Sequence, residues 1–364
     1  DTPALVRRLK LHPALLVALE RQVKRVAGPA TRSQAIDDLA SVLTQRPLLD
    51  EVLRETAPDA FRERELEEVT DYCRRRNEEL ASWLGGDREV PGELDEEDDA
   101  LLLRAWQMRV GPITAGSKRR VEYRHVAIDE VQDFSPTEVR VLIDCLDQHQ
   151  SLTLAGDTQQ HVMQDAGFTS WTEFFAHLRI DGTEVDTLQV SYRTSQEIGE
   201  FAAALLGELR EDDAPLITTR SGPPVEFFQH TDHGACIAAL ADALMELTSE
   251  EPLASVAVLT PSPNSSELYY AGLERSEVPR LHLVRDQDFR FAPGVEVTEI
   301  EQVKGLEFDY VILVGVSESH FADEPMARRL LHVGATRAVH QLWLTSTGAP
   351  SKIVREAILR GEES

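Results

Sequence analysis

Two adjacent carboxylates, Asp129 and Glu130, come directly after the apolar run Val126-Ala127-Ile128. Such a run predicts a central, fully buried parallel strand, and in open α/β sheets ligands sit at the strand ends. One carboxylate there can hold a Mg²⁺ that keeps most of its waters and bridges to substrate phosphates. Its neighbour can orient or deprotonate the water that attacks a γ-phosphoryl group. Two acids alone would read as an acidic turn after a strand. The continuation Val131-Gln132-Asp133, together with the motifs downstream, favours the chemistry.

Four later stretches could serve the same reaction. Gly156-Asp157-Thr158-Gln159-Gln160 puts a glycine where the backbone turns off a strand, then an amide, Gln160, able to hydrogen-bond a γ-phosphate or the attacking water. Ser191-Tyr192-Arg193-Thr194-Ser195 sets an aromatic face, suited to stacking on a base, beside a guanidinium suited to bidentate phosphate contact. Val303-Lys304-Gly305-Leu306-Glu307-Phe308-Asp309 leads into a strand, and His332 to Ala338 presents Arg337 from a helix. Two arginines reaching one triphosphate would neutralise charge that develops in phosphoryl transfer.

The elements that must position these groups change character near Tyr123. Beyond it, apolar runs alternate with capped helical stretches, the signature of parallel sheets with crossovers. Strands are expected at 151–155, 186–190, 225–228, 255–259, 295–298, 310–314 and 341–345. Ser135-Pro136-Thr137-Glu138 is a capping box with proline at the first helical position, opening a helix to about 147. Ser170 with Glu173 and Thr194 with Glu197 read as further caps, and a helix is expected over 326–338. Residues 1–110 read as helices, with Ser33 as an N-cap, Pro47 as a stop, and a long pattern from Phe61 to Leu84 ending at Gly85-Gly86. The acidic stretch Asp87–Asp99 reads as a solvated loop before a last helix, Ala100–Trp106, and the basic Lys118-Arg119-Arg120 as an exposed loop.

The chain of 364 residues, 42% hydrophobic and 28% charged, is long enough for two ordinary domains. No apolar run reaches the ~18–20 residues of a membrane span. The first residues lack the apolar segment of a signal peptide, so no membrane and a cytoplasmic location are expected. Cys73, Cys145 and Cys236 are too scattered for a disulfide framework or a zinc site, and Cys145 reads as a small core residue. A net charge of −27 argues against a broad DNA-coating face; nucleic-acid contact would be confined to a groove.

In this order and spacing the motifs resemble the superfamily 1 helicases of the UvrD/Rep type. Asp-Glu-Val-Gln-Asp-Phe-Ser-Pro at 129–136 looks most like the HelD branch, or helicase IV. The resemblance covers roughly residues 120 to 348 and implies an α/β fold of two RecA-like parallel-sheet domains, the first incomplete. Residues 1–110 would be a helical region inserted in the first domain, 111–185 its remainder, and 186–364 the second domain. It also implies ATP and Mg²⁺ as cofactors and single-stranded or partly duplex DNA as partner, with 3′→5′ movement. Asp129 would ligate Mg²⁺, Glu130 activate water, and Gln160 couple the γ-phosphate to DNA. Tyr192 would stack on adenine, Arg193 and Arg337 bind the γ-phosphate, and Glu307 approach the ribose, with Lys304 and Gly305 among the nucleotide-binding residues.

The sequence also departs from that pattern. It contains no Gly-x-x-x-x-Gly-Lys-(Ser/Thr); Gly116-Ser117-Lys118 lacks the first glycine and the following hydroxyl. The expectation is an N-terminally truncated helicase core that does not hydrolyse ATP by itself. Glu301 stands where the family often has histidine, which weakens the case for strand binding. The aromatic that commonly comes after the Gly-Asp-x-x-Gln motif is absent, leaving Phe168 as a stacking candidate and Trp171 as a core residue. Two alternatives stand beside the DNA motor: a HelD-like ATPase acting on RNA polymerase, and a non-hydrolysing regulatory or binding module.

Overall fold

A computed structural model of the chain describes residues 2–89, 94–116, 118–157, 170–180, 184–188, 190–210 and 217–362. Gln160 and Phe168 lie outside these ranges. The chain divides into two compact units, Asp1–Val185 and Asp186–Ser364.

The first unit opens with helices α1 (Thr2–Leu11), α2 (Pro13–Arg25), α3 (Arg32–Thr44), α4 (Arg46–Thr56), α5 (Glu63–Leu84) and α6 (Glu96–Arg109). Their apolar stripes meet in one core around Leu9, Leu15, Leu19, Val42, Val69 and Leu101. Prolines start helices here, where a missing N–H costs nothing. Pro13 comes after the N-cap His12, whose Nδ1 accepts from the Ala14 amide at 3.1 Å. The helix expected to stop at Pro47 ends at Thr44, and Pro47 lies in the first turn of the next helix, α4. The N-cap of α3 is Thr31, not Ser33, its hydroxyl accepting from the Gln34 amide.

The acidic stretch is not all loop. Glu96, Glu97, Asp98 and Asp99 form the first turn of α6, where the exposed amides of a helix N-terminus favour negative charge. The helix is accordingly longer than the expected 100–106. Asp95 and Asp98 also hold the buried Lys10, with Nζ 2.6 Å from Asp95 Oδ2 and 2.7 Å from Asp98 Oδ1. Burial alone would lower the Lys10 pKa; the pull of Asp98 and Asp95 outweighs it and raises the value.

The rest of the first unit contains strands β1 (Tyr123–Ile128) and β2 (Leu146–Leu154), with α7 (Pro136–Ile143) and α8 (Trp171–Leu178). The strands pair in parallel, Val126 opposite Leu152 and Ile128 opposite Leu154. Both expected N-caps form, Ser135 Oγ accepting from the Glu138 amide and Ser170 Oγ from the Glu173 amide, and at Ser135 the Glu138 carboxylate completes the capping box. The α7 helix stops at Ile143, short of 147, and β2 begins at Leu146, ahead of the expected 151. Cys145 is buried in the turn between them. Trp171 is partly buried against the core of this region. The expected full burial of β1 does not hold: only Ile128 is buried, and Tyr123, Arg124, His125 and Ala127 are exposed. Among the described residues β1 has one strand neighbour, so helices on one side shield Ile128 and leave the other side open.

A buried ion network joins the helices to this region. Glu20 on α2, 3% exposed, receives Arg104 Nη2 at 2.7 Å and the guanidinium of Arg179, just past the end of α8. Arg104 also reaches Asp144 Oδ2 at 2.5 Å, and Asp144 binds Arg140 at 2.6 Å. Burial would raise the Glu20 pKa, but Arg104 and Arg179 override it and hold the carboxyl below its usual range.

The second unit is built on a six-stranded, all-parallel sheet in the order β5-β10-β9-β6-β8-β7. Its strands are β5 (Glu226–Gln229), β6 (Ser255–Thr260), β7 (Leu281–Leu283), β8 (Gly294–Glu299), β9 (Phe308–Leu313) and β10 (Ala338–Ser346). Helices α9 (Gln196–Leu206), α12 (Pro325–Ala335) and α13 (Lys352–Glu362) pack on one face, and α10 (His233–Glu250) and α11 (Pro263–Arg275) on the other. In β6, Ala257 and Leu259 enter the first core while Val256 and Val258 enter the second. Covering both faces is what makes the strand an unbroken apolar run. Before this sheet, β3 (Val190–Ser191) pairs in parallel with β4 (Ile217–Thr218). β3 is far shorter than the expected 186–190, where Leu188 is 95% exposed. Ser195 rather than Thr194 caps α9, and α12 ends at Ala335, with Ala338 already in β10. The chain is thus of the α/β class, with parallel sheets and many helices. No helix among the described residues is long and apolar enough to cross a membrane.

Two measurements test this packing. Glu20→Ala removes one of the two carboxylates on the buried Arg104 and leaves Asp144 as the other, and urea unfolding is expected to show a loss of about 1–3 kcal/mol. Burial, with repulsion from His177 and Arg8, lowers the His12 pKa from 6.5 to about 4. Because the folded value is depressed, His12 contributes full stability above pH 6.5 and loses it as the pH falls toward about 4. His12→Asn, which keeps a capping oxygen, is expected to remove a component on the order of 2–3 kcal/mol from the acid-side slope.

Candidate nucleotide site

At the end of β1 the buried Ile128 leads into exposed Asp129 and half-buried Glu130. Glu130 is left-handed, φ 49° and ψ 41°, a conformation that costs a non-glycine residue about 1–3 kcal/mol. Hydrogen bonds on every side hold it there. The Glu130 amide donates to Asp129 Oδ1 at 2.9 Å, and its carbonyl accepts from the Asp133 amide at 2.9 Å. The next amide, Val131, donates to the Ala155 carbonyl at the end of β2, also at 2.9 Å.

The residue that organises this corner is Gln132, which is wholly buried. Its Nε2 donates to Glu130 Oε2 at 2.5 Å, and its Oε1 accepts from the Asp157 amide at 3.0 Å. One side chain thereby ties the acid pair to the root of the Gly156-Asp157 loop. In the sequence Gln132 is only one letter of a motif; an amide two residues beyond an acid is the available signal. It also explains Gly156: a Cβ there would stand 2.5 Å from Gln132 Oε1 and 2.9 Å from Val131 Cγ1. Gly156→Ala is therefore expected to cost about 1–3 kcal/mol in thermal or urea unfolding. In the Gln132→Ala background the same change should cost less, because the obstructing amide has gone.

The second unit gathers the other candidates. Tyr192 is 73% exposed, and Arg193 beside it makes an ion pair with Glu307, Nε to Oε1 2.7 Å. The backbone carrying Arg193 is clamped by Arg220, which donates to the carbonyls of Arg193 and of Val339 at the start of β10. Glu197, in the first turn of α9, accepts from the Gly222 amide at 2.7 Å and from the Ser221 hydroxyl. Nothing in the sequence singles out Arg220 and Glu197 for these contacts, which join positions distant along the chain. Gly305 has φ 77°, the left-handed region that suits glycine, and lets the chain turn between Lys304 and Glu307.

Arg337 is 5% exposed. Its guanidinium donates to the carbonyls of Val333 at 3.1 Å and Leu306 at 3.3 Å and to Thr336 Oγ1 at 3.2 Å. Its own carbonyl accepts from the Phe308 amide at 2.9 Å. The fold thus brings Lys304, Gly305, Glu307, Arg193 and Arg337 to the start of β9, while Asp129, Glu130 and Gln132 form a separate cluster in the first unit. Among the described residues no group of three or more His, Cys, Asp or Glu could cage a metal. A Mg²⁺ held by one carboxylate and substrate phosphates needs no such cage, and Asp129 fits that role.

Residues 294–345 match the UvrD-like helicase C-terminal domain. That segment contains Lys304, Gly305, Glu307 and Arg337. ATP-dependent DNA helicase UvrD2 of Mycobacterium tuberculosis is 28% identical over 186 residues, 50% of this chain and 27% of that protein. DNA helicase IV of Escherichia coli is 26% identical over 255 residues, 61% of this chain and 33% of that one. The chain therefore spans a third or less of these relatives' length. Among solved structures, the C-terminal domain of a possible DNA helicase from Lactobacillus plantarum is similar at TM-score 0.39 and 25% identity, covering 46% of this chain and 94% of that one.

Proposed function

We propose that this chain is part of an ATP-dependent DNA helicase or translocase that moves 3′→5′ on single-stranded or partly duplex DNA. What carries the reading is the coincidence of family match and geometry. The segment similar to the UvrD-like C-terminal domain contains Lys304, Gly305, Glu307 and Arg337, and Arg193, from outside that segment, pairs with Glu307. The relatives named above are DNA helicases, so DNA rather than RNA polymerase is taken as the substrate.

On this reading Asp129 holds Mg²⁺, which when bound supplies charge neutralisation of the nucleotide phosphates. Glu130, fixed by Gln132, accepts a proton from the attacking water. Gln160 hydrogen-bonds the γ-phosphate, Tyr192 offers its exposed ring to the adenine, and Glu307 meets the ribose. Arg193 exchanges its Glu307 partner for phosphate oxygens, and Arg337 adds a second guanidinium beside the Lys304-Gly305 turn. The chain has no Gly-x-x-x-x-Gly-Lys-(Ser/Thr) loop, so by itself it is expected to show no magnesium-dependent ATP turnover.

The test is ATP turnover by the full natural protein in the presence and absence of single-stranded DNA. Glu130→Gln is expected to lower kcat about 10²–10⁴-fold while leaving KM nearly unchanged. Tyr192→Ala should instead raise KM for ATP. DNA-stimulated turnover indifferent to Glu130→Gln would remove the basis of the assignment.

A further inference from the structure

The second unit contains a cavity that borders Glu307 of the proposed nucleotide site, while the rest of its lining has no part in that reading. It has a volume of about 310 Å³ and is lined at the N-terminal ends of β6, β8 and β9 and by the segment joining β7 to β8. Its walls include Phe289 and Phe308, while Leu253 and Phe291 line it with 82% and 80% of their surface exposed. The charged side chains that line it are both carboxylates, Glu296 and Glu307. Glu307 already has a cation, Arg193.

Glu296 is different. It lies on β8 between Val295 and Val297, which pack into the core on the opposite face, and it is only 6% exposed. Its Oε1 accepts from the Arg290 amide at 3.0 Å. The imidazole of His282 stands 3.9 Å away, beyond hydrogen-bond distance, and Oε2 is buried without a hydrogen-bond partner. A carboxylate kept from water with acceptor capacity unfilled is costly, and a charged donor completes it best.

We propose that this cavity receives a lysine or arginine side chain of a partner protein, its aliphatic stem between Leu253 and Phe291 and its cationic head on Glu296. Apolar walls over a carboxylate match the two halves of such a side chain. A nucleic-acid strand is the poorer occupant, because the lining has no cation to receive phosphate and the chain carries a net charge of −27. This inference does not depend on ATP hydrolysis.

The experiment is a ligand-observed NMR titration of the chain with acetyl-Gly-Arg-Gly-amide, using the citrulline peptide as its neutral counterpart. The arginine peptide is expected to bind at least about ten-fold more tightly than the citrulline peptide, and Glu296→Gln to remove that difference. Phe291→Ala, at an exposed position that does not endanger folding, should also weaken the arginine peptide, and it decides the matter if Glu296→Gln does not fold. No binding, equal binding of both peptides, insensitivity to these substitutions, or preferential Phe291-dependent binding of guanosine monophosphate would each overturn the proposal.

Discussion

A single buried amide sets the geometry of the first unit's candidate chemistry. Gln132 can neither rotate freely nor be hydrated, since it is wholly buried and its two polar atoms are engaged by Glu130 and Asp157. The left-handed backbone at Glu130 costs energy that only such over-determination can offset. The same amide forbids a side chain at Gly156. Acid pair, amide and glycine are thus one steric and electrostatic unit that joins the Asp157 amide to the Glu130 carboxylate.

The same principle, charge fixed by burial and pairing, recurs away from that corner. Lys10 and Glu20 are both nearly inaccessible, yet each is compensated by two opposite charges drawn from distant parts of the chain. Buried ion pairs contribute little net stability against apolar replacements, but breaking one is expensive. Here Arg104 on α6 reaches both Glu20 on α2 and Asp144 at the end of α7, so one side chain ties three helices together. The chain's large negative charge therefore does not mean that its acids are merely solvated.

Much of the second unit is legible in the sequence because its strands are apolar on both faces and its helices carry caps. The uninterrupted runs of β6 and β9 leave few alternatives. β7 escapes notice, since Leu281-His282-Leu283 is too short to show a period. In the first unit the apolar run before Asp129 reads as buried on both sides; its exposure depends on its neighbours in space, and no local pattern carries that. Charge density misleads at Asp95–Asp99, where acids suggest solvent while the helix N-terminus and a buried lysine are the actual partners. The motif residues can be named from sequence, but the roles of Gln132 and Arg220 depend on side-chain contacts with residues distant in sequence.

The two candidate arginines differ in a way that spacing could not show. The Arg193 side chain is 76% exposed, and its pair with Glu307 is of the surface kind, worth at most about 1 kcal/mol. A ligand phosphate can take it over at little cost. Arg337 is buried and spends its donors on backbone carbonyls, one of them Leu306 in the turn that carries Glu307. Moving it toward a ligand would leave those carbonyls to find other donors, so its displacement is coupled to the conformation of residues 304–307. Lysine could not substitute, because a compact ammonium lacks the planar fork that spans Val333, Leu306 and Thr336 together. Arg193 is thus exposed and lightly held, whereas Arg337 is buried and bonded to the backbone of both the 304–307 turn and the end of α12.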